Sequence, residues 1–381
     1  MKIGIITLPL WTNYGGILQA YALQTILERM GHEVVEIEQK VEYKRACLPF
    51  YKAPIVILKR IILRYILHKK NIRVFAESYF NEQILPNIEK TIQHTQRFVN
   101  EHIHRTYVKT FCEVEELGLD GIIVGSDQIW RPLYIKQNLP NAFLSFAKEW
   151  NVKRISYAAS FGAETWEYTP EQTSECADLL KLFDAVSVRE ENGVAFCNNY
   201  LGCIDAVQVL DPTLLLQKED YLSLLKETDC KKRGNMMVYI LDKDPEITYY
   251  IETFATAHGY KPFYTNSSIE NCDAPLEDRI QPPLEEWLQG FREADIIMTD
   301  SFHACVFSII FTKPFLVIKN EKRGLARIMS LLRPLGLTDR IINKSSFSED
   351  VKVSTIDYAK VYAILNEKKY ASLNFLYKAL S

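Results

Sequence analysis

Short apolar runs alternate with segments of helical periodicity at the start of the chain. Residues 2–8 form a β-branched run, residues 17–27 place apolar side chains at helical spacing up to Gly31, and residues 33–37 form a second β-branched run. A strand, a glycine-containing loop, a helix and a second strand make a βαβ unit, in which the strands are parallel and helices cover the sheet. The pattern therefore predicts an α/β fold.

The same alternation continues in two successive series. The first continues with apolar runs at 121–124, 155–158, 185–188 and 207–210, and the second has runs at 236–241, 261–264, 295–299 and 315–318 and a helix at 246–258. Two consecutive α/β series predict two Rossmann-like lobes. We expect a first lobe at 1–210 with a helical insertion at 50–110, a second lobe at 211–350, and a helical tail at 351–381. The charged segment 231–235 is the expected linker.

Ligands of paired lobes of this kind bind in the cleft, at the carboxyl ends of the parallel strands. The loops expected there are 9–16, 125–131, 159–163, 189–193, 242–244 and 300–303. Candidate functional residues are therefore taken from these loops.

Length and charge narrow the class of protein. A chain of 381 residues is too long for one ordinary hydrophobic core, and a formal net charge of -3 gives no indication of nucleic-acid binding. The apolar run at the N-terminus stops at residues 11–13 without a signal-peptidase site, and no stretch approaches the roughly 20 apolar residues of a membrane span. We therefore expect a cytoplasmic protein.

The cysteines and histidines show no metal-binding or disulfide pattern. None of the eight cysteines forms C-x-x-C, and no histidine pair has zinc-finger spacing. Scattered cysteines in a reducing compartment are mostly small core residues. We expect all eight cysteines to lie in the core, and neither a metal nor a cofactor.

Residues 52–73 fit neither lobe. They carry seven basic residues and no acidic one, and their apolar side chains recur at nearly helical spacing. A basic amphipathic helix can lie on an anionic membrane surface, which would make a peripheral membrane contact. The alternative is a helix that packs on its lobe with solvated lysines, and the sequence leaves both interpretations open.

The strongest candidate site is the strand-to-helix turn that follows the strand 295–299. Asp300, Ser301 and His303 lie between this apolar strand and an almost entirely apolar helix at 303–311. Asp300 or Ser301 could cap the helix, whose free N–H groups form an anion site. His303 can give a proton or a hydrogen bond to a bound phosphate or carboxylate. Capping does not explain the histidine, so the turn is a predicted binding site.

Two turns of the first lobe carry further candidates. Asn13, Gly15 and Gly16 follow the first strand, and paired glycines let the backbone approach a ligand, although their spacing is not that of a dinucleotide-binding motif. Asp127 and Gln128 follow the next apolar run of the series. Asp127 could be a base or a hydrogen-bond partner for a sugar hydroxyl, or another helix cap.

Arginines at strand ends are candidate anion ligands. Arg189 follows the strand 185–188, and its planar fork can bind a carboxylate or phosphate through two hydrogen bonds. Because Glu190 is adjacent, a surface ion pair is the alternative. Arg323 and Arg327 follow the last strand of the second series and are further candidates.

Five motifs occur in one order along roughly residues 3–340. They are NYGG at 13–16, GSDQIW at 125–130, SVRE at 187–190, LDPT at 210–213 and TDSFHA at 299–304. Together they resemble the polysaccharide pyruvyl transferase family. The resemblance implies a GT-B-like fold with an acceptor lobe followed by a donor lobe. It also implies transfer of a pyruvyl group from phosphoenolpyruvate to a sugar of an oligosaccharide, which a polyprenyl lipid could carry. The product would be a cyclic ketal of a capsule or other surface polysaccharide.

The same resemblance assigns roles to individual residues. Arg189 and His303 match positions that bind and activate phosphoenolpyruvate. Family members often have arginine two residues before the histidine, where this chain has Ser301, and Arg323 or Arg327 could replace that cation. Asp127 is the expected base or positioning group for the acceptor. The remaining expected binding residues are Asn13, Gly15, Gly16, Gln128 and Asp300.

Two other functions stay open at this point. A GT-B glycosyltransferase would bind a nucleotide sugar in the same cleft, where the anion site would suit a diphosphate. A non-catalytic scaffold in polysaccharide assembly would need neither substrate.

Overall fold

The structure is a computed structural model that describes residues 1–40, 44–69, 72–135, 139–225, 233–242, 244–320, 324–343, 351 and 353–381. The chain forms two compact units. One comprises residues 1–39, 95–266 and 282–381, and the other comprises residues 40–94 and 267–281. Both β-sheets and the candidate site belong to the first unit. Most of the predicted linker 231–235 lies in the described range, but residues 231 and 232 do not.

The first sheet is parallel and contains seven of the described strands. The first strand of the chain lies inside the sheet and pairs on both sides, since Ile3 lies opposite both Val34 and Gly121. The strands are β1 (Lys2–Ile6), β2 (Glu33–Gln39), β3 (Arg105–Val108), β4 (Gly121–Val124), β5 (Lys153–Ala159), β6 (Ala185–Val188) and β7 (Val207–Gln208). Their order is β3-β2-β1-β4-β5-β6-β7. From β1 the chain first adds strands on one side, β2 and β3, and then adds β4 to β7 on the other side. The strand order therefore reverses between β1 and β4, which is where ligands bind in Rossmann-type sheets.

The second sheet is also parallel and has the same kind of reversal. Its strands are β8 (Met236–Tyr239), β9 (Pro262–Tyr264), β10 (Ile296–Thr299), β11 (Phe315–Ile318) and β12 (Ile341–Ile342). Their order is β12-β11-β10-β8-β9, with Ile297 opposite both Met237 and Phe315. The reversal lies between β8 and β10, so the loops that follow these two strands line the ligand-binding edge.

Helices connect the strands. In chain order they are α1 (Tyr14–Arg29), α2 (Ala53–Ile61), α3 (Ala76–Tyr79), α4 (Ile88–His102), α5 (Pro132–Ile135), α6 (Leu139–Ala142), α7 (Pro170–Leu180), α8 (Glu191–Leu201), α9 (Lys218–Leu222), α10 (Pro245–His258), α11 (Leu276–Arg279), α12 (Leu284–Glu293), α13 (Phe302–Ile310), α14 (Ala326–Leu332) and α15 (Tyr358–Leu380). One π-helical turn, Ile62–Ile66, continues α2. In the described parts of the chain, no helix combines the length and apolar character that crossing a bilayer requires.

One hydrophobic cluster joins the elements that carry the candidate site. Ile17 and Leu18 of α1, Val306 of α13 and Leu376 of α15 are buried in this cluster, together with residues from both sheets. Every residue of α13 is buried. This shared core holds the N-termini of α1 and α13 in fixed positions.

The predicted α/β fold with two parallel-sheet lobes is confirmed. The sequence pattern missed β3 and β12. The edge strand β3 is half-exposed with the polar sequence RTYV, and β12 has only two residues, so neither produces an apolar run.

The expectation for the cysteines is only partly right. Cys176, Cys197 and Cys305 are buried, and Cys203 is half-buried, whereas Cys47, Cys112 and Cys272 are exposed. Cys47 and Cys272 lie in a loop and a turn, and Cys112 lies on the exposed side of the 3-10 helix Phe111–Leu117. Cys230 lies outside the described residues.

Candidate active site

The turns after β1 and β4 meet at the reversal point of the first sheet. The Asn13 side-chain amide donates a hydrogen bond to Oδ2 of Asp127 over 3.0 Å. A β-carbon on Gly16 would lie 3.1 Å from Nδ2 of Asn13 and 3.4 Å from Oδ2 of Asp127, so this glycine borders the same pair. Asp127 is buried, has φ 67° and does not begin a helix, so the helix-cap interpretation of Asp127 is wrong.

Asp300 and Ser301, in the turn after β10, have different roles. The Ser301 hydroxyl oxygen accepts from the backbone N–H of Ala304 at 3.5 Å and caps α13. Asp300 accepts from the backbone N–H groups of Leu241 (2.7 Å) and Asp242 (3.3 Å), in the loop after β8. Burial raises the pKa of Asp300, and these hydrogen bonds partly offset that effect. Asp300 therefore joins the two loops at the reversal point of the second sheet.

His303 lies directly against the backbone of the first lobe. A β-carbon on Gly15 would fall 2.0 Å from Nδ1 and 2.1 Å from Cγ of His303, so only glycine fits at position 15. The His303 side chain is 7% exposed. The two turns that the sequence identified separately, one in each lobe, are therefore in contact.

Arg189 contacts Asp127 and also Asp211 and Phe302, which lie next to His303. Its Nη1 donates to Oδ2 of Asp211 over 2.8 Å, its Nη2 lies 3.6 Å from Oδ1 of Asp127, and its guanidinium lies 4.5 Å from the ring centroid of Phe302. Burial alone would lower the pKa of Arg189, but the charges of Glu190, Asp211 and Asp127 outweigh it and raise that pKa. Arg189 is a permanently charged cation inside the protein.

Asp211 is the centre of the cluster, and the sequence analysis did not select it. Its Oδ2 accepts from Arg189 and from the Ser126 hydroxyl (3.0 Å), and its Oδ1 accepts from the backbone N–H and hydroxyl of Thr213. His303 Nε2 lies 3.6 Å from Oδ2, which is longer than a hydrogen bond but close enough for an ion pair when the imidazole is protonated. Burial raises the pKa of Asp211, but His303, Arg189 and Thr213 overcome this and hold the pKa well below its usual range.

A signal for Asp211 was present in the sequence. The LDPT motif places an aspartate directly after the apolar run 207–210 and before a proline that ends it. An aspartate at that position has the same strand-end location as Arg189 and Asp127, which were selected. The motif contributes to the family resemblance, but the sequence analysis assigns no role to its aspartate.

Glu190 is also buried, so the surface ion-pair interpretation of Arg189 and Glu190 is wrong. Its Oε1 accepts from the Ser160 hydroxyl and lies 3.7 Å from Nε of Arg189. Burial raises the pKa of Glu190, and the charge of Arg189 and the Ser160 hydrogen bond offset part of that effect.

A second buried arginine lies near Arg189. Arg327, on α14, is 8% exposed, and burial together with the charge of Arg189 lowers its pKa to about 10. A cavity of about 150 Å³ adjoins both arginines, and its wall also includes Asp211, Phe302 and Lys368 of α15. The cavity is thus rich in cationic side chains.

Not every predicted residue joins the cluster. Gln128 packs against Gly162 and accepts from Arg131 at 3.1 Å, so its amide is used locally. Asp300 and Ser301 bind backbone groups, as described above. Arg323 lies outside the described residues. Asn13, Gly15, Gly16, Asp127, Arg189, His303 and Arg327 are the predicted residues that the structure brings together.

The cluster can bind anions and hold a proton close to them. It offers two buried arginines, a histidine that faces an ionised aspartate, and the free N–H groups at the start of α13. Among the described residues, no group of three His, Cys, Asp or Glu side chains is arranged to hold a metal ion.

Two solved structures are similar to this chain over almost its whole length. The Arabidopsis thaliana protein UGT89C1, complexed with UDP-L-rhamnose, has a TM-score of 0.50 at 8% identity, over 98% of this chain and 98% of that chain. UDP-GlcNAc 2-epimerase from Neisseria meningitidis has a TM-score of 0.47 at 12% identity, over 98% and 94%. The likeness to the Arabidopsis protein establishes a GT-B-like fold and nothing about substrates.

The family is established by sequence. No curated protein matches the chain. Residues 13–322, which contain all five motifs, match the sequence model of the polysaccharide pyruvyl transferases. The chain belongs to the polysaccharide pyruvyl transferase family, which is a family of enzymes.

Proposed function

We propose that the protein transfers a pyruvyl group from phosphoenolpyruvate to a sugar of an oligosaccharide and forms a cyclic ketal. The observation that carries the proposal is the buried contact of Arg189 and His303 with Asp211 beside a cationic cavity. Phosphoenolpyruvate bears a carboxylate and a phosphate, and two arginines can bind such a pair of anions. The acceptor is a surface-polysaccharide precursor, carried on a polyprenyl lipid at the cytoplasmic face of the membrane.

The donor is proposed to bind against Arg189 and Arg327. The cavity of about 150 Å³ has room for one small anion, and Lys368 adds a further positive charge to its wall. Arg327 supplies the second positive charge for the donor, because position 301 holds a serine and provides none. In this proposal Arg327 takes the place of the arginine that family members often have two residues before the histidine.

His303 is proposed as the general acid. Protonation of the methylene carbon of phosphoenolpyruvate turns it into a methyl group and leaves a cationic C2, to which a sugar hydroxyl adds as it loses its proton. Oδ2 of the ionised Asp211 lies 3.6 Å from Nε2 and faces the edge of the imidazole that carries the proton in this step. Asp211 is thus a positioning residue for His303.

Asp127 is proposed either to accept the proton of the attacking hydroxyl or to orient that hydroxyl by a hydrogen bond. Asn13 holds one of its carboxylate oxygens, and the other faces Arg189. In the second step the C2–O bond to phosphate breaks, phosphate leaves with the electron pair, and a second hydroxyl of the same sugar adds to C2 and gives up its proton. Of the two protons lost from the hydroxyls, one restores the proton that His303 gave to carbon, and the other leaves on the released phosphate as hydrogen phosphate.

The test separates donor binding from chemistry. Thermal-shift and calorimetric titration with phosphoenolpyruvate should show stabilisation of the wild-type protein. Arg189→Lys and Arg327→Lys should each weaken binding by at least about tenfold, because lysine keeps the charge and loses the planar fork. Lysine is chosen because removal of the Arg189 charge would leave buried aspartates unpaired. Arg333→Lys is the matched control, since Arg333 follows α14 and its side chain is 64% exposed.

Catalysis is measured by mass spectrometry of cellular glycans. His303→Ala, in folded protein at normal levels, should lower ketal formation by about 100-fold or more. If cells that produce His303→Ala contain as much pyruvyl ketal as cells with the wild type, the result would support a non-catalytic scaffold. Stabilisation by UDP or GDP and not by phosphoenolpyruvate would support a glycosyltransferase. Either result would overturn the proposal.

A further inference from the structure

Helix α2 and its π-helical continuation Ile62–Ile66 carry an apolar stripe that faces solvent. Ile55 is 72% exposed and Ile66 is 65% exposed. The outer stripe consists of Ile55, Leu58, Ile62, Tyr65 and Ile66, which recur at helical spacing on one side. None of the residues in α2 or its continuation is buried. A contiguous exposed apolar surface of this kind marks an interaction site.

The opposite face of this helix is held to the smaller unit by its arginines. Arg60 donates to both carboxylate oxygens of Glu77, over 2.7 and 2.8 Å, and Arg64 donates to the backbone carbonyl of Ile72 over 2.9 Å. These contacts fix which side of the helix points inwards. The outer stripe is therefore the side left for another partner.

Positive charge borders the outer stripe. Lys52 and Lys59 lie at the edge of the stripe by helical geometry, and both are exposed, as is Lys69 beyond its end. The sequence contains no acidic residue from 52 to 73. Phe50 and Tyr51, exposed aromatic residues at the start of the segment, are of the type found at the interface between lipid and water.

We propose that the outer stripe and its lysines dock on an anionic phospholipid surface. Apolar side chains on one face of a helix enter the boundary between headgroups and acyl chains, while lysines at its edge contact lipid phosphates. An apolar face with lysines at its edge, on a segment whose sequence contains no acidic residue, matches a negatively charged bilayer better than a mixed-charge protein surface. This docking is independent of the proposed reaction, although it would bring the enzyme to a lipid-linked acceptor.

Vesicle binding tests the charge dependence. The full-length protein should sediment with phosphatidylcholine vesicles that contain phosphatidylglycerol, and bind much less to phosphatidylcholine alone. Lys52→Glu together with Lys59→Glu should weaken binding by at least about 25-fold, from roughly fivefold per lysine near an anionic surface. Lys148→Glu with Lys181→Glu is the control with the same change in net charge, at lysines whose side chains are 58% and 67% exposed.

The apolar contribution is tested separately. Leu58→Glu with Ile62→Glu should remove binding to anionic vesicles, whereas Tyr249→Glu, at an exposed tyrosine of α10, should leave it unchanged. Phosphoenolpyruvate binding should be the same in all these variants, so the two proposals fail independently. The docking proposal is overturned if the wild-type protein does not bind anionic vesicles. It is also overturned if light scattering shows a dimer of the wild type that Leu58→Glu converts to a monomer.

Discussion

Gly15 lies so close to His303 that a β-carbon at this residue would collide with the imidazole ring. The collision involves ring atoms of a buried side chain, which cannot move aside as the end of a long flexible side chain would. The approach does not depend on an unusual backbone conformation, because Gly15 lies in the first turn of α1. At the scale of single residues, the contact between the lobes depends on the absence of one methyl group.

Gly15→Ala is therefore expected to displace His303 and to lower pyruvyl transfer by about 100-fold, the effect of misplacing a catalytic group by roughly 1 Å. Gly121→Ala is the control, because a β-carbon there would make an ordinary 3.5 Å contact with Lys153. Circular dichroism and the unfolding temperature report whether both variants fold. Wild-type activity in folded Gly15→Ala would show that the position of His303 is not critical.

At the scale of elements, β2 carries a buried carboxyl group next to the loop after β1. Glu36 is 3% exposed and accepts a 2.6 Å hydrogen bond from the Thr7 hydroxyl. Burial raises the pKa of Glu36 to about 8, with Thr7 opposing and Glu38 adding to the shift. The folded protein therefore keeps a proton on Glu36 under conditions in which the unfolded chain releases it.

The consequence is a loss of stability with rising pH. Below about pH 4.5 both states are protonated, and between about 4.5 and 8 the folded state binds the extra proton, so the free energy of unfolding falls as pH rises. Glu36→Gln should remove this dependence, and its advantage over the wild type should grow by up to about 1.4 kcal/mol per pH unit. Urea unfolding across this range measures it, with the exposed Glu33→Gln on the same strand as control. A constant difference between wild type and Glu36→Gln at every pH would contradict the assignment.

At the scale of the whole molecule, α15 contacts both sheet-bearing lobes. The Ser372 hydroxyl oxygen accepts from the backbone N–H of Leu210 over 3.0 Å, next to the first sheet. Tyr362 and Tyr358 donate to the carbonyls of Ile309 (3.0 Å) and Lys313 (2.6 Å), next to the second sheet. The C-terminal helix is thus part of the core that the two lobes share.

Leu376→Ala should destabilise the protein by about 2–5 kcal/mol, because Leu376 is fully buried in this shared core. Tyr370→Ala, on the same helix but 75% exposed, should change stability by less than about 0.5 kcal/mol. Thermal unfolding should show one transition that shifts as a whole in Leu376→Ala. Two transitions, of which only one moves, would show that α15 stabilises a single lobe.

Much of this architecture was predictable from the sequence. The apolar runs 121–124, 185–188 and 315–318 are strands with those bounds, because fully buried parallel strands need apolar side chains on both faces. The α13 helix was predicted to within one residue at each end. Strands such as β3 were missed because their pairing partner, and not their own composition, makes them strands.

For the candidate site, the sequence by itself determined which loops to examine. The rule that ligands bind at the carboxyl ends of parallel strands selected Asp127 and Arg189 after strands of the first sheet and His303 after a strand of the second. The structure brings all three close to Asp211 or to Arg189. The sequence could not separate a helix cap from a ligand, because both need a polar side chain at the same place. Only the tertiary structure assigned Ser301 to the cap and Asp300 to the loop after β8.

The tertiary structure also decided the electrostatics. Asp211 becomes the centre of the cluster through partners that are 22 and 92 residues away in sequence, Arg189 and His303. The outer stripe is free because Arg60 and Arg64 hold the other face of its helix, which the helical periodicity does not reveal. A sequence pattern records which side chains are apolar or charged, whereas burial and charge pairing depend on distances that only the folded chain creates.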